Sequence, residues 1–193
     1  MSARKVFVAG GLVSGLVLIG VGIALIAMGV WGRGEVRDQL RSEQIYGTED
    51  SPIAGQLVDT GSEAKIFADV IKRHALEAAG GKTYAQLGRY LKEGGGDTND
   101  PNEAAKDENG NPIPNPVRNT WVTATALRTA LYMSYLAEQI ATFAIVLGVA
   151  LIIVGGGFGV LTISTLWHPE VIGLRQPAAP PAGADPAPTG EAA

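Results

Sequence analysis

The sequence predicts an all-α membrane protein: two transmembrane helices flank a mainly helical extracytoplasmic domain, and the second span is continuous with a long membrane-proximal helix. Three observations carry this reading. Two long blocks contain no charged residue, the segment between them has helical periodicity, and no breaker separates its last amphipathic stretch from the second block.

The blocks explain the composition. Hydrophobic residues make up 46% of the 193 residues and aromatic residues only 6%, a balance unusual for a soluble enzyme. The excess aliphatic content lies in Val6 to Trp31, "VFVAGGLVSGLVLIGVGIALIAMGVW", and in Ile140 to Ile163, "IATFAIVLGVALIIVGGGFGVLTI". At ~1.5 Å per residue each exceeds the ~30 Å hydrocarbon thickness, so each reads as a somewhat tilted span. Trp31 and Trp167 stand at the span ends, where interfacial anchors belong. The first block has the basic start of a signal peptide, Arg4 and Lys5, and small residues at Ala27 and Gly29. Its apolar run is longer than the ~7–15 residues of a signal core, so it reads as an uncleaved signal-anchor.

A short basic start before a long apolar run favours a cytoplasmic N-terminus. The expected organisation is a cytoplasmic segment 1–5, a span 6–31, an extracytoplasmic domain 32–139, a span 140–164 and a cytoplasmic tail 165–193, in the plasma membrane. The central segment holds 12 of the 15 Lys/Arg and 16 of the 19 Asp/Glu, a net of −4. Such a mixed, mildly acidic surface argues against nucleic acid as a partner, which wants a basic patch. The expected partners are the lipid bilayer, other membrane proteins or a second copy of the chain. With no cysteine, the domain has neither disulfides nor thiolate chemistry.

Within that domain, "SEAKIFADVIKRHALEAAGG" places Ile66, Phe67, Val70, Ile71, His74 and Ala78 at steps of three and four. This predicts an amphipathic helix with Ser62 as N-cap and Gly80 or Gly81 as breaker. Thr83-Tyr84-Ala85-Gln86 fits a capping box that restarts a helix, making His74, Gly80, Gly81, Thr83 and Tyr84 a helix–turn–helix corner and a candidate interaction site. "GGKT" resembles the end of a phosphate-binding loop, but Leu76 stands where the upstream glycine is required. His74 lies at the apolar edge of its helix, and a packed or capping role is expected for it.

No metal site is predicted. His168 follows the second span and would face the other side of the membrane, so His74 has no histidine partner. "GDTNDPNEAAKDENGNPIPNP" fails the EF-hand spacing, because glycine falls at the fourth position rather than the sixth. Its four prolines predict a turn-rich surface loop.

After Pro116, a helix is expected from near Thr120, capped by Asn119 or Thr120, to Ser164. Ala124, Leu127, Leu131, Ser134 and Glu138 form one stripe of it. If the first span continues through "GRGEVRDQL", Val36 and Leu40 meet that stripe in an antiparallel stem. Glu138 would then pair with Arg33 or Arg37 just above the membrane; the alternative is that all three face headgroups and water. The first span also carries a small-residue face at Gly11, Gly15, Gly22 and Gly29, which suits close helix packing. Its counterpart is either the second span, with Gly148 and Gly155 to Gly157, or another protein. The tail from Arg175, rich in proline and alanine, is expected to be disordered.

"HALE", "GGKTYA" and "NPVRN", with their flanking spans, resemble a family of small two-span envelope proteins of high-GC Gram-positive bacteria, over about residues 4–165. The resemblance implies the two-span topology and brings no catalytic residues. Members often bear the name "aromatic ring-opening dioxygenase". Such an enzyme uses two histidines and a carboxylate around iron, and the central segment has only His74. The expected function is therefore non-catalytic and cofactor-free: an accessory or scaffold subunit of a cell-envelope or membrane complex. The alternative is an extracytoplasmic lipid- or ligand-binding module, for which an apolar pocket around His74, Tyr84 and Tyr90 would speak.

Overall fold

The structure is a computed structural model describing residues 3–167; the expectations for His168 and the tail from Arg175 lie outside the described residues. Helix accounts for 68% of it. Three α-helices, α1 (Ala3–Ser42), α2 (Gly61–Ala78) and α3 (Pro116–Trp167), are joined by a loop over 43–60 and a longer connection over 79–115. That connection holds one 3-10 turn, Tyr84–Gln86, and two antiparallel two-residue strands, β1 (Tyr90–Leu91) and β2 (Asp97–Thr98).

α1 and α3 are both long and apolar enough to cross a membrane, with mean hydropathies of 2.5 and 2.6 in their most apolar windows. Those windows are only 17% and 11% buried, whereas the core helix of a soluble protein would be mostly buried. Phe7, Val13, Leu16, Ile23, Phe143 and Ile153 all point outward.

Local chemistry sets the helix ends, in two places differently from expectation. α2 is capped by Thr60 rather than Ser62. The Thr60 hydroxyl accepts from the Glu63 N–H at 3.3 Å, and Glu63 Oε2 accepts from the Thr60 N–H at 2.9 Å. Threonine followed three residues on by glutamate completes a capping box, whereas Ser62 has Lys65 at that position. α3 begins at Pro116, ahead of Thr120, because Asn115 Oδ1 accepts from the Val117 N–H at 3.0 Å and proline suits the first helical position. α2 ends in a Schellman motif: the Gly81 N–H donates to Leu76 O at 2.8 Å and the Gly80 N–H to Glu77 O at 3.0 Å. Gly80 and Gly81 have φ of 60° and 82°, a region that glycine enters without a Cβ clash.

The described chain forms two compact units, one of residues 3–20 with 151–167, the other of 21–150. In the first, the described parts of α1 and α3 pack through small residues. A Cβ on Gly15 would lie 2.8 Å from Gly155 O, and one on Gly155 would lie 2.7 Å from Gly15 O. Gly11 faces Thr162 there.

In the second unit the same kind of contact joins Gly29 to Ala141 and Gly22 to Gly148. Gly15, Gly22 and Gly29 recur every seven residues in α1, as do Ala141, Gly148, Gly155 and Thr162 in α3. A seven-residue repeat keeps one face toward a partner helix. All four glycines expected to form a packing face therefore meet α3.

The second unit also holds the core, in two clusters. Leu40 of α1, Ile53 and Val58 of the first loop, Ala64 and Ala68 of α2 and Leu131 of α3 form one. Ala75, Ala79, Leu87, Trp121 and Ala124 form the other. Val36 packs against the first cluster, so the expected stem of Val36, Leu40 and Leu131 is present. The expected stripe is only partly right, since Leu127 is 53% exposed and Trp121 takes its place in the core.

Candidate functional site

Glu138 is the most deeply buried charged side chain described, its residue 5% exposed. It lies where three helices meet. Oε2 accepts from the Gly61 N–H at 2.7 Å, and Oε1 is 3.7 Å from Arg33 Nη2. A buried carboxylate needs such partners, because desolvating it unpaired costs several kcal/mol. Glycine is required at 61: a Cβ there would sit 2.7 Å from Glu138 Oε2 and 2.8 Å from Tyr135 Cα. Of the two arginines considered from sequence, Arg33 makes the pair, while Arg37 is exposed and takes no part. With both oxygens engaged, Glu138 has the chemistry of a structural joint.

Beside this joint, α1, α2 and α3 enclose an open groove of about 840 Å³. Leu40, Phe67, Ile71 and Leu131 line its floor, and Tyr46, Leu127 and Met133 its rim. Its polar groups are Gln39, Glu43, Ser134 and the Tyr46 hydroxyl. Leu127 and Met133 are 53% and 56% exposed, so the rim of the groove is apolar and open. Ala137, also in the lining, is three residues before Ile140, where the uncharged block begins.

His74 departs from expectation. It is exposed, and its Nε2 lies 2.7 Å from Asp50 Oδ2. Arg73 also pairs with Asp50. Asp50 projects from the first loop, where the Thr48 hydroxyl donates to it at 2.6 Å. The Thr48 bond, then His74 and Arg73, hold the Asp50 carboxyl well below the ordinary carboxylate range. The histidine thus clasps the loop to α2.

The corner after α2 is also different. Gln86 Oε1 accepts from the Thr83 N–H at 2.8 Å as expected of the box, but only the 3-10 turn follows. Lys82 binds Asp97 at 2.7 Å, and Gly88 donates its N–H to the same carboxylate. These contacts divert the chain into β1 and β2; they also lower the Asp97 pKa, Lys82 contributing most. Trp121 Nε1 donates to Lys82 O at 3.1 Å and fixes the corner on α3. Tyr84 and Tyr90 line a second cavity, of about 370 Å³ and mixed polarity, which His74 does not reach.

Sequence reading missed Asp50, Tyr46 and the groove. Asp50 sits in a loop without periodicity, and the groove draws on three helices far apart in sequence. Among the described residues, no three His, Cys, Asp or Glu side chains converge as metal ligands would.

Fold and site together define a class: a mostly helical protein with two helices long and apolar enough to cross a membrane, joined through a loop-braced helical head. No family model, curated protein or solved structure matches the chain.

Proposed function

We propose that the chain is a non-catalytic, two-span plasma-membrane protein that serves as an accessory or scaffold subunit of a cell-envelope or membrane complex. In this reading, residues 32–139 are extracytoplasmic and both termini cytoplasmic. The carrying observation is the apolar groove beside Glu138. Its rim exposes Tyr46, Leu127 and Met133, and on α3 its lining ends close to where the proposed span begins. A helix rising out of the bilayer on a neighbouring protein fits such a surface through an apolar face with anchors at steps of three and four. The resemblance to small two-span envelope proteins agrees with this topology.

Cross-linking in cells, followed by mild-detergent purification and mass spectrometry, tests the proposal. A stoichiometric membrane partner is expected with the native chain and is expected to be lost from Leu127→Asp/Met133→Asp, two changes at exposed positions that leave the core intact. A chain purified alone would remove the subunit reading. The alternative, a lipid- or ligand-binding module, is favoured by the same groove, whose volume falls within the ~300–1,000 Å³ of small-molecule sites. Recovery of a bound lipid that the double variant no longer retains would establish it.

A further inference from the structure

The second cavity has a chemistry unlike the groove. Tyr84, Arg89, Tyr90, Arg118 and Asn119 face it, and no carboxylate belongs to its lining. Arg118 stacks on the Tyr84 ring, with its guanidinium carbon 4.1 Å from the centroid, and donates from Nη1 to Leu87 O at 2.6 Å. Among the described residues neither Arg118 nor Arg89 pairs with an acid, although the chain has 19 Asp/Glu against 15 Lys/Arg. Arg41, Arg73, Lys82 and Lys92 have carboxylate partners; Arg37, Lys72 and Arg128 lack one as well, but none of these lines this cavity, where two unpaired guanidiniums meet. Two guanidiniums sharing one cavity repel each other. Both are held there, Arg118 by its stacking and carbonyl bond, Arg89 by its place just before β1.

The inventory of free groups points to the missing counterpart. Arg89 keeps all five of its N–H donors and Arg118 four, while the Asn119 amide and the two phenol hydroxyls make no side-chain bond within the chain. This donor excess suits an oxyanion, since a guanidinium fork binds carboxylate or phosphate with two parallel bonds. The tyrosine rings add flat apolar surface beside it. At about 370 Å³ the cavity lies near the lower end of small-molecule sites, ~300–1,000 Å³.

We propose that this cavity binds a small ligand bearing a carboxylate or phosphate group, with Arg89 and Arg118 holding the oxyanion and the tyrosines flanking its ring or chain. The ligand is water-borne. Arg118 and Ile140 are separated by about 33 Å along α3 at ~1.5 Å per residue, and lipid headgroups extend only ~5–8 Å beyond the hydrocarbon. That last step rests on the span placement proposed above; the oxyanion site does not.

The test uses the full chain in phosphatidylcholine nanodiscs, titrated with glucuronate, glucose 1-phosphate or glucose. The indole N–H resonance of Trp121, which sits at this corner, is the reporter. One or both anionic sugars are expected to shift it saturably and glucose is not. Arg89→Gln, at an exposed side chain without an internal partner, is expected to weaken binding about tenfold or more, the worth of a charge-assisted bond, and Arg89→Lys to recover part of it. Absence of binding, equal binding of glucose, or an Arg89→Gln variant with unchanged affinity would overturn the site. Replacing a third of the lipid by phosphatidylglycerol is expected to leave the titration unchanged. Competition by that lipid would overturn the water-borne ligand and the span placement while the oxyanion site stands.

Discussion

Glu138 and Asp50 are both acidic residues that fasten a loop or helix in place, yet burial makes their expected behaviour different. Replacing Glu138 by alanine strands the Gly61 N–H and the Arg33 charge beside a void, and is expected to cost about 1–3 kcal/mol or more. Glutamine keeps an acceptor for Gly61 and should cost less. Thermal unfolding of the purified chain checks the order; equal stability of all three would deny Glu138 its role as a joint. Asp50 is expected to show itself through pH. Its folded pKa is depressed below the ordinary value of 3.8 by Thr48, His74 and Arg73. Its contribution is therefore full above about pH 4 and is lost as pH falls through the lower folded value. Asn at position 50 should be less stable than the native chain at pH 7, and the gap should narrow below pH 4 in urea titrations.

Helix packing gives the clearest test of the seven-residue repeat. A Cβ on Gly148 would lie 2.5 Å from Gly22 O and 2.8 Å from an Ile26 side-chain carbon, whereas one on Gly34 meets nothing within 4 Å. Gly148→Ala is expected to lose about 1–3 kcal/mol by overpacking, and Gly34→Ala to gain up to about 1 kcal/mol from helix propensity. Unfolding in detergent, followed by circular dichroism, reads both; a stabilised Gly148→Ala would refute the close seam. This seam was legible in sequence because a regular helix turns residue spacing directly into a face. The Arg33 and Glu138 pair was legible for the same reason, once both helices were taken to extend past their apolar blocks. The 88–115 segment was not. Its strands are two residues long, too short to show alternation, and its path depends on Asp97 reaching back to Lys82 and Gly88. Gly94, Gly95 and Gly96, all at positive φ, supply a turn that composition alone renders as generic loop.

At the scale of the whole molecule, orientation is the property with the weakest sequence signal, since charges on both sides of the first apolar block nearly balance. The native chain has no cysteine, so single cysteines at Asp107 and Pro186 report without background. In intact cells an impermeant thiol reagent is expected to modify the first and spare the second. Modification at Pro186 alone would invert the proposed topology. The candidate site was less legible than the fold, because cavities arise from residues distant in sequence. Tyr84 and Tyr90 do share a cavity, as the ligand-binding alternative asked, but their companions are Arg89 and Arg118 rather than His74.

α3 continues without a break from Asn119, at the donor-rich cavity, to Ile140, where its uncharged stretch opens. It therefore acts as a ruler, setting how far from that stretch the cavity is held. The heptad gives this ruler its graduations: inserting seven residues into each of α1 and α3 where the head meets the uncharged blocks, after Gly32 and before Ile140, would hold the cavity about 10 Å farther away with the facing residues close to phase. Inserting four would turn each helix about 40° past a full revolution and put the head out of phase with the Gly29 and Ala141 contact. Reach and registry are thus coupled in this chain, and length can change only in whole steps of the repeat.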